Sequence, residues 1–320
     1  MRLERSSGTP FTDKLGAMKI VSLLPSATEI VFSLGLGDAL VGVTDECDFP
    51  PEASSLPVVV RSLLPPQLRE PGEIDAAVSK AARAGQPLYS IDEALIGRLQ
   101  PDLILTQDLC RVCAIPSGDV KEALAKLGSD AEVVSLDPHS LEEVFDSFVA
   151  VGKAIGRADA AEDMAASCHA RVDEFRKKAL RLPSIRVLAL EWSNPPWAAG
   201  HWIPEMVELS GGVNLLSTAK EPSVTVTWKE IADATPEVIA VMPCGYYIEE
   251  AEEEAASLFE NPDFANTPAG VEKGVFAVDA TSFFSRPGPR LIDGLEALAW
   301  AIHPETFPEP PPGAVVRVGR

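Results

Sequence analysis

A chain of 320 residues exceeds what one compact core ordinarily holds, so two domains are expected. Its composition, 46% apolar and 23% charged, is that of a globular protein; a net charge of −21 argues against nucleic-acid partners and against docking on anionic lipid, both of which need clustered Lys and Arg. No stretch of about 18 uninterrupted apolar residues offers a membrane insertion.

Residues 1–17, MRLERSSGTPFTDKLGA, carry no apolar export segment and no clean small-residue cleavage pattern. They read as a disordered tail, and a cytoplasmic location is expected, or a periplasmic one if the N-terminus is misassigned. KIVSLLP (19–25) is an apolar run of strand length. SATEIVFSLGLGDALVGV then predicts a helix capped by Ser26 or Thr28, a glycine stop and a second strand at LVGVT. SIDEALIGRLQPDLILTQ repeats the plan, with a turn at Pro101 and a strand ending near Gln107, and EVVSLDP is a further strand. Strand and helix in alternation imply a parallel sheet covered on both faces.

From Ser140 the pattern turns helical. Ser140 and Glu143 make a capping-box pair, and ADAAEDMAASCHARVDEFRKKAL follows without Pro or Gly, as a rigid connecting helix would. Cys168 and His169 on it have no partner at metal-ligand spacing and read as structural. The second half restarts with a strand at IRVLALEW, a helix around IPEMVELSGG, a strand-like SVTVTW, and KEIADATPEVIAVMPCG. That last stretch echoes LQPDLILTQDLC in its helix end, Pro-acidic turn, apolar strand and following cysteine. The expected fold is α/β: two parallel-sheet α/β lobes joined by one long connecting helix, with a ligand cleft between the lobes. The expected boundaries are a tail at 1–17, an N-terminal lobe at 18–157, the helix at 158–181, a C-terminal lobe at 182–306 and a tail at 307–320.

Ligands of open α/β sheets sit beyond the carboxyl ends of the strands. Four of the five cysteines fall there: Cys47 in TDECDFP, Cys110 and Cys113 in TQDLCRVCA, and Cys244 in MPCGYY. An odd number in a large chain is not a secreted disulfide framework. The four thiols suit zinc or an iron–sulfur cluster, a redox disulfide, or small buried hydrophobes in reduced form. Trp192, Trp197, Trp202, Tyr246, Tyr247, Phe283 and Phe284 cluster at the same exits, as a large apolar ligand surface or as cover for the core. Asp45, Glu46, Asp48, Gln107, Asp108, Glu191 and Asn194 share those loops, where they would orient a ligand or shape turns. Among four scattered histidines only His201, in the Trp-rich loop, is placed to approach a metal. There is no G-x-S-x-G, P-loop or H-E-x-x-H, so no enzymatic activity is expected.

KIVSLLPSATEIVFSLGLGDALVGVTDECDFPPEA, RLQPDLILTQ, the long helix, ELSGGVNLL and ATPEVIAVMP resemble the class III substrate-binding proteins of ABC importers, the vitamin B12-binding proteins among them, over about residues 18–304. The resemblance implies two α/β lobes on a helical backbone, a small-molecule metal-chelate ligand and an ABC permease partner. It sets 45–48 in a corrin-contacting loop, Gln107 at a pocket-tryptophan position and Phe283 and Phe284 in an aromatic loop. The docking glutamate of the first lobe falls on Ala94, beside Glu93, and Glu208 matches the second-lobe helix. The pocket cysteines are not part of that pattern. The function expected is a binding protein for cobalamin or a related metal tetrapyrrole, with Asp45, Glu46, Cys47, Gln107, Glu191, Trp192, Trp197, Trp202, Tyr246, Phe283 and Phe284 at the ligand. The alternative is a cytoplasmic metalloprotein or enzyme whose Cys47, Cys110, Cys113 and Cys244 hold zinc or an iron–sulfur cluster in the same cleft.

Overall fold

The computed structural model describes residues 18–65, 67–68, 70–108, 117–272 and 274–319. They form two compact units. The first comprises the described parts of Met1–Ser62, Tyr89–Leu136 and Phe148–Glu162; the second takes Leu63–Leu88, Asp137–Ser147 and Asp163–Arg320.

The first unit is built on a six-stranded sheet of β1 (Ile20–Ser22), β2 (Leu40–Thr44), β3 (Val58–Ser62), β4 (Tyr89–Ile91), β5 (Leu103–Thr106) and β6 (Glu132–Ser135), in the order β4-β3-β2-β1-β5-β6. All neighbours are parallel except β4, which runs antiparallel to β3 at the edge. The central β1 and β5 are buried at every residue, as parallel strands covered on both faces must be. Val21, Leu23, Val59, Ile96, Ile104 and Leu124 close one face. The helix after β1 begins two to four residues earlier than the sequence implied. Its N-cap is Leu24, with Pro25 in the first position where a missing N–H is harmless, and Ser26 and Thr28 lie inside the helix, buried.

The second unit carries β7 (Ile185–Ser193), β8 (Pro196–Ala198), β9 (Gly212–Asn214), β10 (Val224–Thr225), β11 (Val238–Val241), β12 (Val275–Val278) and β13 (Val315–Val318), ordered β10-β8-β7-β11-β12-β13 with β9 beside β7. Only β9, β7, β11 and β12 are mutually parallel; β8, β10 and β13 are antiparallel to their neighbours, so the sheet is mixed. The strand expected at SVTVTW shrinks to two residues. Its core centres on Phe264, fully buried, with Phe259 and Trp228 at ring separations of 5.5 and 6.3 Å.

Three expected boundaries are corrected. Residues 63–88, with the helix Pro71–Ala84, and residues 137–147 interrupt the first unit and pack within the second. Residues 307–319 of the expected tail at 307–320 are not a tail: Phe307, Ala314 and Val318 are buried, and β13 completes the sheet on β12, because an unpaired β12 edge would leave backbone groups unsatisfied. The long helix, Ala158–Ala179, has 22 residues, beginning in the first unit and continuing in the second. Before the helix Leu141–Ala154, Ser140 Oγ accepts from Glu143 N–H at 3.3 Å, but the Glu143 carboxylate accepts from His139 N–H at 2.6 Å, one residue beyond the expected partner.

A complete capping box opens the helix Trp228–Ala234. Thr227 Oγ1 accepts from Glu230 N–H at 3.2 Å and Glu230 Oε2 accepts from Thr227 N–H at 2.7 Å. Thr227→Ala is expected to lower stability by about 1 kcal/mol. Urea unfolding checks it as a fall in midpoint at unchanged slope.

Candidate functional site

In the first unit the β2 exit carries Asp45, Glu46 and Cys47. Asp45 Oδ2 accepts from Ser62 N–H at 3.2 Å, and Tyr89 donates its hydroxyl to Glu46 Oε1 at 3.5 Å. Both carboxylates are exposed, whereas Cys47 is 3% exposed, its Sγ 3.2 Å from the hydroxyls of both Thr28 and Thr44. The hydroxyl partners and the packing of Val43 and Ala53 make Cys47 a small buried hydrophobe with a weak polar contact. Gln107, after β5, is also buried. Asp108 is a clasp: Oδ1 accepts from Ser117 N–H at 2.7 Å, and Oδ2 accepts from the hydroxyls of Ser117 at 2.6 Å and Ser135 at 3.0 Å. The Ser117 hydroxyl, with those other bonds, holds its carboxyl below the usual range.

The thiolate-site expectation divides. Cys110 and Cys113 lie outside the described residues. Cys244 is exposed after β11, in the second unit, while Cys47 is in the first. Among the described residues, no three or more His, Cys, Asp or Glu side chains come together, so the four-cysteine centre is not assembled there. Cys168 is buried on the long helix, and desolvation pushes its thiol up to about 11, which makes it inert.

The second unit holds the denser group. Trp192 and Trp197 are register partners across the antiparallel β7–β8 pair, so their side chains share a face. Trp192 meets Tyr246 edge-on at 5.6 Å, and its Nε1–H donates to the Pro71 carbonyl at 3.1 Å. All three aromatics are half-buried. Thr281 ties Tyr246 to the loop after β12, its N–H and hydroxyl both donating to the Tyr246 carbonyl, at 3.1 and 3.0 Å. Phe283, the last residue of the short helix Ala280–Phe283 after β12, is half-buried with the Arg290 guanidinium 5.7 Å from its ring centre.

Two of the expected ligand aromatics are buried in this structure. Trp202 and Phe284 are 5% and 2% exposed, and Trp202 Nε1–H donates to the Phe284 carbonyl at 2.9 Å. They are the N-cap of the helix Ile203–Leu209 and the C-cap of the helix Ala280–Phe283, so a position after a strand does not by itself expose them. Glu191 accepts from the Ser223 hydroxyl, which in turn accepts from Gly200 N–H at 3.0 Å. Burial pushes the Glu191 carboxyl up, with the Ser223 bond opposing.

Of the polar side of this group, sequence reasoning named Glu191 and Asn194 and missed Ser193 and Glu254. Ser193 donates its hydroxyl to Glu254, on the helix Ile248–Ser257, and the Asn194 amide would contact any side chain placed at Gly72. Burial, assisted by the Glu70 carboxylate, raises Glu254 to about 7. These partners come from segments 63–88 and 248–257, and no local pattern joins them to β7. A separate depression of about 330 Å³, lined by Lys177, Lys178, Arg181, Leu182 and Thr306, contains none of the expected site residues; its cations complement a helix C-terminus.

Comparison with known proteins agrees with this architecture. An uncharacterized ABC transporter substrate-binding lipoprotein of Bacillus subtilis is 24% identical over 307 residues, covering 96% of this chain and 87% of the relative. The vitamin B12-binding protein of Vibrio cholerae is 26% identical over 287 residues, covering 88% and 87%. Two solved structures share the fold. The periplasmic vitamin B12-binding protein of Vibrio cholerae has a TM-score of 0.65 at 24% identity, over 89% of this chain and 96% of its own. The periplasmic heme-binding protein RhuT from Roseiflexus sp. RS-1 has a TM-score of 0.67 at 23% identity, over 91% and 100%. The expected cytoplasmic location is overturned by these relatives, which are a lipoprotein and periplasmic proteins. The two α/β units and a match over residues 20–281 to the family described as periplasmic binding protein establish that the chain belongs to that family.

Proposed function

We propose that the chain is the substrate-binding protein of an ABC importer and that it captures a metal tetrapyrrole of the cobalamin or haem class, delivering it to a membrane permease. The observation that carries the ligand class is the half-buried group of Trp192, Trp197 and Tyr246 at the exits of β7, β8 and β11. Flat aromatic faces beside a few fixed polar groups suit a large, mostly apolar macrocycle with a polar rim. The names of relatives that bind vitamin B12 or heme support the same class. Phe283 adds a further face, while Glu191 and the Ser193–Glu254 pair supply groups for peripheral amides or carboxylates. Asp45, Glu46 and Gln107 remain proposed contacts of the first unit. No helix among the described residues is long and apolar enough to cross a membrane, so the permease supplies the passage.

Titrating the protein with cyanocobalamin, cobinamide and haemin, followed by tryptophan fluorescence, tests the reading. At least one is expected to bind with a micromolar or tighter dissociation constant. Trp192→Ala is expected to weaken that ligand about tenfold, near 1.4 kcal/mol. Absence of binding by all three at micromolar concentrations would reject the tetrapyrrole class; an unchanged affinity in the variant would remove Trp192 from the site.

A further inference from the structure

His201 lies in a constrained turn of the second unit. Its backbone is left-handed, at φ 52°, a conformation uncommon for a residue with a Cβ although histidine is enriched there. Its N–H donates to the Glu221 carbonyl at 2.7 Å and its own carbonyl accepts from Lys220 N–H at 2.9 Å. The neighbouring Trp202 is anchored to Phe284, so the loop cannot easily redirect the imidazole. Yet Nδ1 of His201 is buried and, with Asn214 Oδ1, is one of two buried side-chain polar atoms in the described residues that have no hydrogen-bond partner. A strained backbone that holds a polar atom without a partner is the pattern of a binding residue, since elsewhere both features would be selected against.

The ring it faces is His139, from residues 137–147, with centroids 5.6 Å apart and planes at 53°. That segment is fixed independently of either imidazole. Glu143 accepts from the His139 N–H, Glu205 Oε2 accepts from Leu141 N–H at 2.8 Å, and Phe145 packs edge-on against His169. With cation–nitrogen distances of about 2.0–2.1 Å, two imidazoles on one tetrahedral cation hold their ring centroids roughly 5 Å apart. The observed separation lies within a small side-chain adjustment of that value.

We propose that His139 and His201 form a two-imidazole clamp for a borderline divalent cation of the zinc, nickel or cobalt type, with water completing the coordination. Imidazole nitrogen selects such ions over magnesium and calcium, which prefer oxygen. The clamp stitches the 137–147 segment to the loop before Ile203 inside the second unit. It is independent of the tetrapyrrole reading and would stand if that reading failed.

Cobalt(II) is the probe, because its visible bands report coordination and its sulfur charge-transfer bands reveal any cysteine ligand. Titration of the whole chain is expected to show one equivalent bound, at micromolar concentrations, by a C110S/C113S variant as well as by the natural sequence. His139→Gln, which removes an exposed imidazole and leaves the backbone bond to Glu143 intact, is expected to weaken this binding about tenfold or more. His201→Asn, a residue that tolerates the left-handed backbone, is expected to do the same. Bands that survive in H139Q at unchanged affinity would overturn the proposal. So would cobalt that binds only through sulfur and disappears in C110S/C113S, and so would no binding at all.

Discussion

Alanine at position 200 is expected to destabilise the protein by about 3 kcal/mol, although it adds one methyl group and Gly200 needs no left-handed backbone. A Cβ there would lie 2.3 Å from the Glu221 carbonyl oxygen and 2.5 Å from both the Pro222 carbonyl carbon and the Ser223 nitrogen. All three are backbone atoms, so no side chain can swing away, and the 221–223 segment must move. Moving it strains the His201–Glu221 and Lys220–His201 bonds, the Gly200–Ser223 bond and, through Ser223, the hydroxyl that bonds the half-buried Glu191. Overpacking alone costs about 1–3 kcal/mol, and each hydrogen bond lost adds about 1 kcal/mol. Gly85→Ala is the control: its φ of 64° penalises a side chain, but nothing lies within 4 Å of the added atom, so only about 1 kcal/mol is expected. Urea unfolding of the two variants measures the difference. Equal losses would mean that the 221–223 segment yields without resistance and that the loop holding His201 is soft.

Much of the fold was legible because its signals are local. The apolar runs at 20–22, 103–106, 185–193 and 238–241 became the central strands of the two sheets, and the uninterrupted stretch after Gly156 became the 22-residue helix. What failed depends on long-range pairing. VVRV near the C-terminus is too short to distinguish from tail until β12 offers it an antiparallel edge. The helix Pro71–Ala84 follows from its own sequence, but nothing in that sequence shows that it packs within the second unit. The site shows the same division. Trp192, Trp197 and Tyr246, expected from their positions at strand exits, are half-buried and grouped in the structure, and their contact with a ligand is a proposal. Trp202 and Phe284 occupy similar positions and are buried, because exposure depends on which way a loop folds, and that is set by partners distant in sequence. His139 and Glu254 were missed for this reason: each matters only through a group that the fold brings to it.

Glu254 gives the clearest electrostatic consequence. Its carboxyl, ordinarily near 4.5, titrates at about 7 in the folded protein, first because it is taken from water and then because Glu70 is nearby. Between these values the folded state holds a proton that the unfolded chain has lost, so stability falls as pH rises from about 4.5 and the loss is complete above about 7. The full rise would correspond to about 3 kcal/mol, and screening of a partly exposed group reduces this to about 2 kcal/mol. Glu254→Gln cannot ionise but retains an oxygen for the Ser193 hydroxyl. It is expected to be about 2 kcal/mol more stable than the natural sequence at pH 8.5 and nearly equal to it at pH 4.5, in urea unfolding at both values. The loss has a location as well. Ionised Glu254 repels Glu70, the N-cap residue of the helix Pro71–Ala84, whose Pro71 carbonyl receives the Trp192 indole N–H. Amide exchange in 70–84 is therefore expected to accelerate at alkaline pH more than exchange in β11, and the substitution should abolish the difference. A stability gap that is the same at both pH values would show that Glu254 titrates alike in the folded and the unfolded chain, and the Trp192 contact would then have no dependence on its charge.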